Sequence, residues 1–335
     1  MNLLVTGGAG YIGSATAAEL IAAGHTVTVF DNLSRGHRAA IPPEACFVHG
    51  DIGDRMALAK VFASGNFDAV LHFAALIEAG ESMKDPGLFF RNNVAYSNNV
   101  IEAAVKAGCL KFVLSSTAAI FAASDEPLRE DSTIAPVNTY GETKLMIETM
   151  LKWYGQVHGL RYACLRYFNA AGAAPNRGEA HHPESHLVPR VLHVALGQAE
   201  SAAIFGADYP TPDGTCIRDY IHIVDLAQAH VLAVEALNEK PTLIYNLGNG
   251  QGYSVREVIE AARAVTGHPL PVVEQPRRPG DAPRLVASSE KIRRELGWTP
   301  RHPSLHDIIA SAWEWHRGHP NGYEPSAIST QSLGR

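Results

Sequence analysis

The sequence has few cysteines and no long apolar run, and each of these features excludes a class of protein. Its four cysteines lie far apart and form no C-x-x-C pair: Cys46, Cys109, Cys164 and Cys216. This spacing argues against zinc ribbons and disulfide scaffolds, and free thiols suit a reducing cytosol. No apolar run approaches the ~20 residues that cross a bilayer, and the N-terminus lacks the basic flank of a signal peptide. We therefore expect a cytoplasmic protein without a membrane partner.

The chain also lacks an excess of basic residues. Its formal net charge is −6, whereas a general nucleic-acid binder normally presents a basic surface. We therefore expect no nucleic-acid partner, although local basic groups can still hold a small anion. The 335 residues are 46% hydrophobic and 19% charged, which is ordinary for one large α/β unit or two domains.

Short apolar runs alternate with helical segments in the first half of the chain. Strands are predicted at residues 2–8, 26–30, 46–51, 68–75, 111–117 and 161–169. Continuous hydrophobic strands that alternate with helices indicate a parallel sheet covered on both faces. The pattern therefore predicts an α/β fold with a doubly wound parallel sheet.

The amino-acid composition of the sequence changes after Asn169. Residues 170–189 are rich in glycine, proline and histidine and predict a long loop, which is followed by shorter strand and helix signals. We place a boundary near residue 170, between a first domain of residues 1–170 and a smaller C-terminal α/β domain of residues 171–323. Residues 324–335 are predicted to form a flexible tail, and the functional site is expected in the cleft between the two domains.

A glycine-rich motif, TGGAGYIG, stands between the first strand and the first helix. Gly7, Gly10 and Gly13 let the backbone turn tightly and approach a pyrophosphate, which the helix N-terminus attracts. Asp31 ends the second strand 18 residues later, where a carboxylate accepts hydrogen bonds from an adenosine ribose. The motif predicts a Rossmann-type dinucleotide site. The charge of Asp31 favours NAD over NADP, although two nearby arginines leave NADP open.

A second motif, TYGETK, places Tyr140 and Lys144 four residues apart at a predicted helix start. Residues at this spacing share one helix face, and Thr139 with Glu142 fits a capping box. Thr117 closes the preceding strand. Tyr140 could act as the base in alcohol–ketone chemistry beside a nicotinamide, with its pKa lowered by Lys144 and by the positive nicotinamide ring. Thr117 would position the reacting oxygen.

With the glycine and Tyr–Lys motifs, the chain resembles the extended short-chain dehydrogenase/reductases, and within them the UDP-glucose 4-epimerase family. The resemblance runs from about Asn2 to Tyr323, and its most specific stretches are LRYFNAAGA and DGTCIRDYIHIVDL. It implies an NAD-binding Rossmann domain, a UDP-sugar-binding domain and a homodimer. It also implies reversible epimerisation of UDP-glucose and UDP-galactose at sugar C4, through a transient 4-keto intermediate, with Tyr140 as the base.

The resemblance further implies roles for individual residues. Cofactor contacts are implied for Gly7, Gly10, Tyr11, Ile12, Gly13, Asp31, Asn32, Ser34, Asp51, Ile52, Phe73, Ala74, Ala75, Asn92, Tyr140, Lys144 and Phe168. Substrate contacts are implied for Thr117, Tyr140, Asn169, Leu187, Arg218, Arg278 and Asp281. The two arginines and Asp281 would hold the diphosphate and the uridine ribose, and an arginine's planar fork of donors suits phosphate.

Three positions depart from the family pattern. Ile77 stands where some members carry a lysine near the cofactor, and Phe121 with Ala122 where a Tyr-Gly pair is common. Leu285 is placed at the wall of the sugar pocket, where the size of the residue affects whether an N-acetyl group fits. The sequence leaves open whether N-acetylated sugars are accepted.

Two other functions remain as alternatives. A nucleotide-sugar 4,6-dehydratase or decarboxylase would need an acid or base after Thr117, where Ala118 and Ala119 stand. An NAD-sensing regulatory protein would not need the intact set of Thr117, Tyr140 and Lys144.

The histidines of the long loop raise the question of a metal. His181, His182 and His186 have a spacing that could suggest one, but a proline-containing loop fixes no common face. We therefore predict no metal site, and a polar loop over the nucleotide instead.

Overall fold

The computed structural model describes residues 1–278 and 281–323. The strands are β1 (Asn2–Thr6), β2 (Thr26–Asp31), β3 (Cys46–His49), β4 (Ala69–His72), β5 (Lys111–Thr117), β6 (Arg161–Tyr167), β7 (Asn169–Ala171), β8 (Ala202–Phe205), β9 (Ile217–Arg218), β10 (Tyr220–His222), β11 (Thr242–Leu247), β12 (Tyr253–Ser254), β13 (Val272–Gln275) and β14 (Arg284–Leu285).

The α-helices are α1 (Tyr11–Ala22), α2 (Arg55–Ser64), α3 (Ala79–Ser82), α4 (Pro86–Phe89), α5 (Tyr96–Lys106), α6 (Thr139–His158), α7 (Leu187–Ala195), α8 (Ile223–Ala236), α9 (Val255–Thr266), α10 (Glu290–Leu296) and α11 (Leu305–Gly318). Short 3-10 turns cover Arg38–Ala40 and Ala118–Ile120. Within the described ranges, no helix has the length and apolar character needed to span a membrane.

Seven parallel strands form the main sheet, in the order β11-β6-β5-β4-β1-β2-β3. In β1, Leu3 and Val5 pack on one face of the sheet, with side chains of α1 and α8, whereas Leu4 packs on the other face with side chains of α2, α5 and α6. The side chains of Leu3, Leu4 and Val5 are fully buried. Burial on both faces explains the continuous apolar runs, and the predicted Rossmann-type doubly wound sheet is confirmed.

The strand order reverses between β1 and β4, since β2 lies on one side of β1 and β4 on the other. Ligands of open α/β sheets bind in the crevice at the carboxyl ends of the strands, at such a reversal. The fold therefore sets the place of the site before any side chain is considered.

A smaller part of the molecule has its own core. Three small sheets, β7 with β10, β8 with β13, and β9 with β12 and β14, lie with α7, α9 and α11, whose buried side chains include Val191, Leu192, Ile259 and Ile308.

Two elements beyond residue 170 return to the main sheet. Strand β11 pairs in parallel with β6, and side chains of α8 join the core on the α1 face. The main sheet thus includes chain from the predicted second domain, and the binding roles assigned to 1–170 and 171–323 stay predictions. The predicted tail, residues 324–335, lies outside the described residues.

The helical segment that runs from Pro86 to Lys106 is not uniform. Helix α4 continues into a π-helical segment, Phe90–Ala95, before α5 begins. In that segment the buried Asn93 exchanges hydrogen bonds with both backbone groups of Leu76 and donates to Thr143 Oγ1, at 3.2 Å. The π-helical segment thus ties the chain after β4 to α6, a tertiary contact that periodicity does not predict.

Helix α6 begins at Thr139 as predicted, but the predicted capping box of Thr139 and Glu142 is wrong. Asn138 is the N-cap, with extended backbone angles, and its Oδ1 accepts a hydrogen bond from Gly141 N at 2.8 Å. The cap lies one residue earlier than the Thr–Glu spacing indicated. Tyr140 and Lys144 still lie one turn apart.

A buried ion pair fastens α6 to the sheet. Glu148 on α6 binds Arg166 on β6 through Nε, at 3.0 Å, and Nη2, at 2.7 Å. Ser116 Oγ donates to the same carboxylate at 2.5 Å. The side chains of Glu148 and Arg166 are only 7% and 4% exposed, so each depends on the other to compensate its charge.

We expect Glu148→Ala to lower the free energy of unfolding by about 3–5 kcal/mol, because it leaves a buried guanidinium uncompensated. The matched control is Glu81→Ala, which breaks an exposed pair with Lys84 and should cost no more than about 1 kcal/mol. Chemical denaturation followed by circular dichroism measures both. Equal losses in the two variants would contradict this account.

Candidate functional site

One cavity of about 370 Å³ opens at the carboxyl ends of the central strands, a size typical of small-molecule sites. It brings together most of the predicted residues. On its wall lie Gly7, Gly10, Tyr11, Ile12, Gly13, Asp31, Asn32, Ser34, Ile52, Phe73, Ala74, Ala75, Asn92, Thr117, Tyr140, Phe168, Asn169 and Arg218. The predicted residues outside the wall are Asp51, Lys144, Leu187, Arg278 and Asp281.

The glycine turn between β1 and α1 is held by backbone contact. Gly7 has a positive φ of 73°, and a Cβ there would lie 2.4 Å from Ala74 N; a Cβ at Gly13 would lie 2.3 Å from Gly7 O. A side chain at either position would push the turn away from its neighbours. Gly10 caps α1 without a side-chain hydrogen bond, so the helix N-terminus faces the cavity with its N–H groups available for an anion.

Asp31 is buried at the end of β2. Its Oδ2 accepts a hydrogen bond from Ala9 N at 3.0 Å, and its Oδ1 accepts one from Leu33 N at 2.8 Å. Burial raises its pKa, and the two backbone hydrogen bonds act in the opposite direction. These contacts fix the carboxylate at the cavity wall, where its remaining lone pairs can accept hydroxyl protons.

Asp51 lies beside the cavity wall rather than on it, and its contact with the cofactor stays a prediction. Its carboxylate accepts hydrogen bonds from Asn32 Nδ2 and from Gly53 N, each at 2.6 Å, and its side chain is exposed. Asp51 thus shapes the loop and orients Asn32, while Ile52 contributes to the cavity wall.

Thr117, Tyr140 and Lys144 converge where β5 meets α6. Lys144 is buried, and its Nζ lies 6.0 Å from the centre of the Tyr140 ring and donates to Ser115 O at 2.7 Å. Thr117 Oγ1 accepts a hydrogen bond from Ala119 N at 3.1 Å. The helix spacing and the strand end together place a phenol and a hydroxyl on the cavity wall, with an ammonium group behind them.

The surroundings of Tyr140 raise the pKa of its phenol to about 12 through burial, to which the charge of Glu78 adds, while a hydrogen bond with Thr117 opposes the shift. Burial lowers the pKa of Lys144 to about 7, against the attraction of Glu148. Without a cofactor these surroundings favour the neutral phenol, and the lowering of its pKa by Lys144 stays a prediction. The positive charge of a nicotinamide ring is the remaining predicted source of that lowering.

A group of charged side chains marks the other end of the cavity. Arg218, on β9, lies on the wall, and Asp281 lies 3.6 Å from its Nη2 and 3.0 Å from Arg278 Nε. The structure thus brings the three predicted residues together, with Arg278 the most exposed. Leu187 begins α7 and packs against the smaller core.

Leu285 pairs with Arg218 in the β9–β14 ladder. It lies on the cavity wall and packs against a cluster that includes Phe168 and Ala118. Ile77 also lines the cavity, whereas Phe121 is buried beneath the Arg166 guanidinium.

Sequence reasoning missed several polar residues of the wall. Ser115 and Tyr167 hydrogen-bond through their hydroxyls, and Glu78 contributes a carboxylate. Their place could have been inferred, since Ser115 and Tyr167 stand near or at the carboxyl ends of β5 and β6 and Glu78 directly follows Ile77 after β4. Glu179 of the long loop also lies on the wall, with His181 and His186, and nothing in the loop sequence singled it out.

Comparison with known proteins agrees with this geometry. Residues 3–248 match the model of the NAD dependent epimerase/dehydratase family. The chain is 51% identical over 327 residues to a UDP-glucose 4-epimerase of Halalkalibacterium halodurans, covering 96% of this chain and 98% of the relative.

Solved structures give the same result. A crystal structure of a UDP-glucose 4-epimerase matches with a TM-score of 0.93 and 49% identity, covering 97% of this chain and all of the other. The UDP-glucose 4-epimerase of Bifidobacterium longum, solved with NAD⁺ and UDP, matches with a TM-score of 0.92 and 36% identity, covering 96% of this chain and 100% of the other. The chain therefore belongs to the NAD-dependent epimerase/dehydratase family.

Proposed function

We propose that the chain is a UDP-glucose 4-epimerase, which interconverts UDP-glucose and UDP-galactose with NAD held in the cavity. The observation that carries the proposal is the convergence of Thr117, Tyr140 and the buried Lys144 on the cavity of the glycine turn. The near full-length similarity to UDP-glucose 4-epimerases supports it.

The residues present fit NAD. Positions 7 and 13 require glycine, because a Cβ at either one would collide with backbone. Without side chains in the turn, the N–H groups at the start of α1 stay accessible to a pyrophosphate. Asp31 would accept ribose hydroxyls, and its charge would repel the 2′-phosphate of NADP. Asn92, Phe73 and the alanines after it would line the cofactor path.

When bound, NAD would supply reversible hydride transfer at sugar C4, to and from either face of the sugar. The protein groups handle the proton: Tyr140 takes it from the 4-hydroxyl and gives it back, and Thr117 holds the reacting oxygen by a hydrogen bond. Lys144, fixed by Ser115 O at 2.7 Å, places a donor behind the tyrosine. The reaction consumes no net oxidant, since the sugar is oxidised and reduced in the same site.

The charged end of the cavity would hold the substrate through its nucleotide. Arg218 and Arg278 offer donors to a diphosphate, with Asp281 between them. Asn169 is set beside Arg218 because its N–H donates to Asp219 O at 3.0 Å. An anchored nucleotide leaves the 4-ketose free to turn beside small wall residues, Ala118 and Ala119.

Water elimination is the competing reaction on this scaffold, and it requires a second proton donor or acceptor. Ala118 and Ala119 supply none after Thr117. Incubation with UDP-galactose, followed by chromatography of the nucleotide sugars, should give an equilibrium mixture of UDP-galactose and UDP-glucose with no dehydrated product. A dehydrated keto sugar as the main product would replace this proposal with a dehydratase.

Tyr140→Phe should fold and keep NAD but lose turnover by about 10²–10⁴-fold, the usual contribution of a general acid–base group. Tyr154→Phe is the matched control, because this phenol lies on the same helix and donates only to Asn98 Oδ1, at 3.0 Å. Initial rates with UDP-galactose measure both variants. Near-normal kcat in Tyr140→Phe would remove Tyr140 as the base.

Leu285 would set the breadth of substrate. The family resemblance implies that a tyrosine closes the corresponding wall in members restricted to the plain hexoses, and that a cysteine or serine opens it in permissive ones. Leucine is intermediate in size, and one small group in a pocket changes binding by only ~1–3 kcal/mol. We therefore propose efficient turnover of UDP-galactose with weak activity on UDP-N-acetylglucosamine.

We expect Leu285→Tyr to abolish activity on UDP-N-acetylglucosamine while sparing UDP-galactose, because the larger ring fills the space of the N-acetyl group. Leu285→Met, which conserves volume, should change neither rate more than a few-fold. Parallel kcat/KM values for both sugars give the answer. If Leu285→Tyr lowers kcat/KM equally for both sugars, Leu285 does not determine whether an N-acetyl group is accepted.

The proposed homodimer would pair α5 and α6 with their copies across a two-fold axis. These helices lie side by side, linked by the Tyr154–Asn98 hydrogen bond. Trp153 and Val157 stand one turn apart on α6 and are 60% and 68% exposed. An exposed apolar patch of this kind marks an interaction surface. A two-fold axis would bury it against the same patch of a second copy.

We expect the wild type to have the mass of a dimer at micromolar concentration, and Trp153→Glu to be monomeric, since the charge would face its own copy. Val273→Glu is the control, because Val273 is 44% exposed on β13, in one of the small sheets rather than on α5 or α6. Light scattering after size exclusion measures the mass. A monomeric wild type would refute the dimer.

A further inference from the structure

The loop between β7 and α7 brings four side chains to one point. Donor atoms of Glu179, His181, Glu184 and His186 all lie within 4.8 Å of one another. His186 Nδ1 is 2.7 Å from Glu179 Oε1 and 2.9 Å from Glu184 Oε1. His181 Nδ1 is 3.1 Å from Glu179 Oε1 and 4.0 Å from Glu184 Oε2. Both imidazoles thus present the same ring nitrogen to the two carboxylates.

The two carboxylates are withdrawn from water. Glu179 is 5% and Glu184 8% exposed, and among the ion pairs of residues 1–278 and 281–323 their only partners are these two histidines. A histidine carries charge only when it is protonated, whereas two buried carboxylates need lasting positive charge nearby. The site has the donors of a cation site but no lysine or arginine within it.

We propose that Glu179, His181, Glu184 and His186 bind one divalent transition-metal ion, with Zn²⁺ the best match. Zinc bonds of 2.0–2.1 Å in a tetrahedron separate the ligand atoms by about 3.3 Å, and the four distances bracket that value. Mixed imidazole and carboxylate ligands favour zinc and its neighbours, whereas Mg²⁺ and Ca²⁺ prefer oxygen alone. His182, between the ligands in sequence, is exposed and takes no part.

The cluster has a competing state in which a proton takes the place of the metal. The two carboxylates raise the pKa of His186 well above its usual range, and the histidines lower the pKa of Glu179. The metal would displace that proton and neutralise both carboxylates at once, which a single imidazolium does not. Ion pairing alone is therefore the alternative that the experiment must separate from metal binding.

The position of the site gives the ion a structural role. His181 packs edge-on against Tyr11 of the glycine turn, with ring centres 6.2 Å apart. Arg35, after β2, donates to His182 O at 2.7 Å, and His37 contacts Ala180 O at 2.9 Å. A metal would thus fix the loop against the nucleotide side of the cavity, and this inference does not depend on the epimerase proposal.

Metal binding can be tested on the full chain, untagged and in a Cys46→Ser background, because that exposed thiol would also bind zinc. The protein is stripped with a chelator, desalted and titrated with Zn²⁺, with metal content measured by plasma mass spectrometry. We expect about one zinc per chain and a Tm that rises with Zn²⁺. Co²⁺ in place of zinc should give the visible bands of tetrahedral coordination.

Two conservative variants and one control decide the result. Glu184→Gln and His181→Asn should each weaken zinc binding by more than about tenfold, at least the effect of losing an outer-sphere partner, and should lose the Tm response. His182→Asn should keep both. The proposal would be overturned if the protein failed to bind one zinc ion per chain. It would also be overturned if all three variants kept their zinc affinity equally, or all three lost it equally. The cluster would then be a network of ion pairs.

Discussion

The contact between the glycine turn and the chain after β4 is the constraint on which the rest of the site depends. Thr6 O accepts hydrogen bonds from Phe73 N and Ala74 N, at 2.8 and 3.1 Å, and Gly7 then meets Ala74 without room for a side chain. This contact sits at the reversal of strand order between β1 and β4. Because the glycine turn and the segment after β4 both line the cavity, widening their contact would separate the cofactor side from the Thr117–Tyr140 side.

Behind the cavity, buried polar groups fix the geometry that the contact creates. His72 on β4 bridges Thr6 and Ser97 at 2.7 Å each, and burial, with the charge of Lys144, lowers its pKa to about 3. His72 is therefore neutral at neutral pH and serves as a spacer between Thr6 and Ser97. Such networks rigidify a core when every member finds its partner.

The substrate side is organised by a different buried acid. Asp219 is fully buried, and its carboxylate accepts hydrogen bonds from the backbone of Asn249, Gly250 and Ala287, at 2.8 to 3.0 Å. These bonds hold together chain segments that approach from three parts of the second half, beside β9 and β14. The wall that carries Arg218 and Leu285 is thus positioned by hydrogen bonds to the main chain. Substitutions at Leu285 can therefore change the shape of the cavity without moving the backbone.

The sequence by itself determined the features that depend on near neighbours. The alternation of apolar strands and helices gave the parallel sheet, and the glycine spacing gave the turn between β1 and α1. The four-residue spacing placed Tyr140 and Lys144 on one face of α6. Each of these follows from a local period or a local backbone requirement, which a short stretch of sequence expresses in full.

Only the tertiary structure decided what depends on segments distant along the chain. Burial and contact between separate elements place β11 in the main sheet and raise the pKa of Tyr140. They also bring the Asp51 carboxylate to Asn32. The meeting of Glu179 and Glu184 with two histidines was equally hidden, although all four lie within eight residues. An irregular loop has no period to predict where its side chains point, so their convergence is set by the packing of the loop against the rest of the protein.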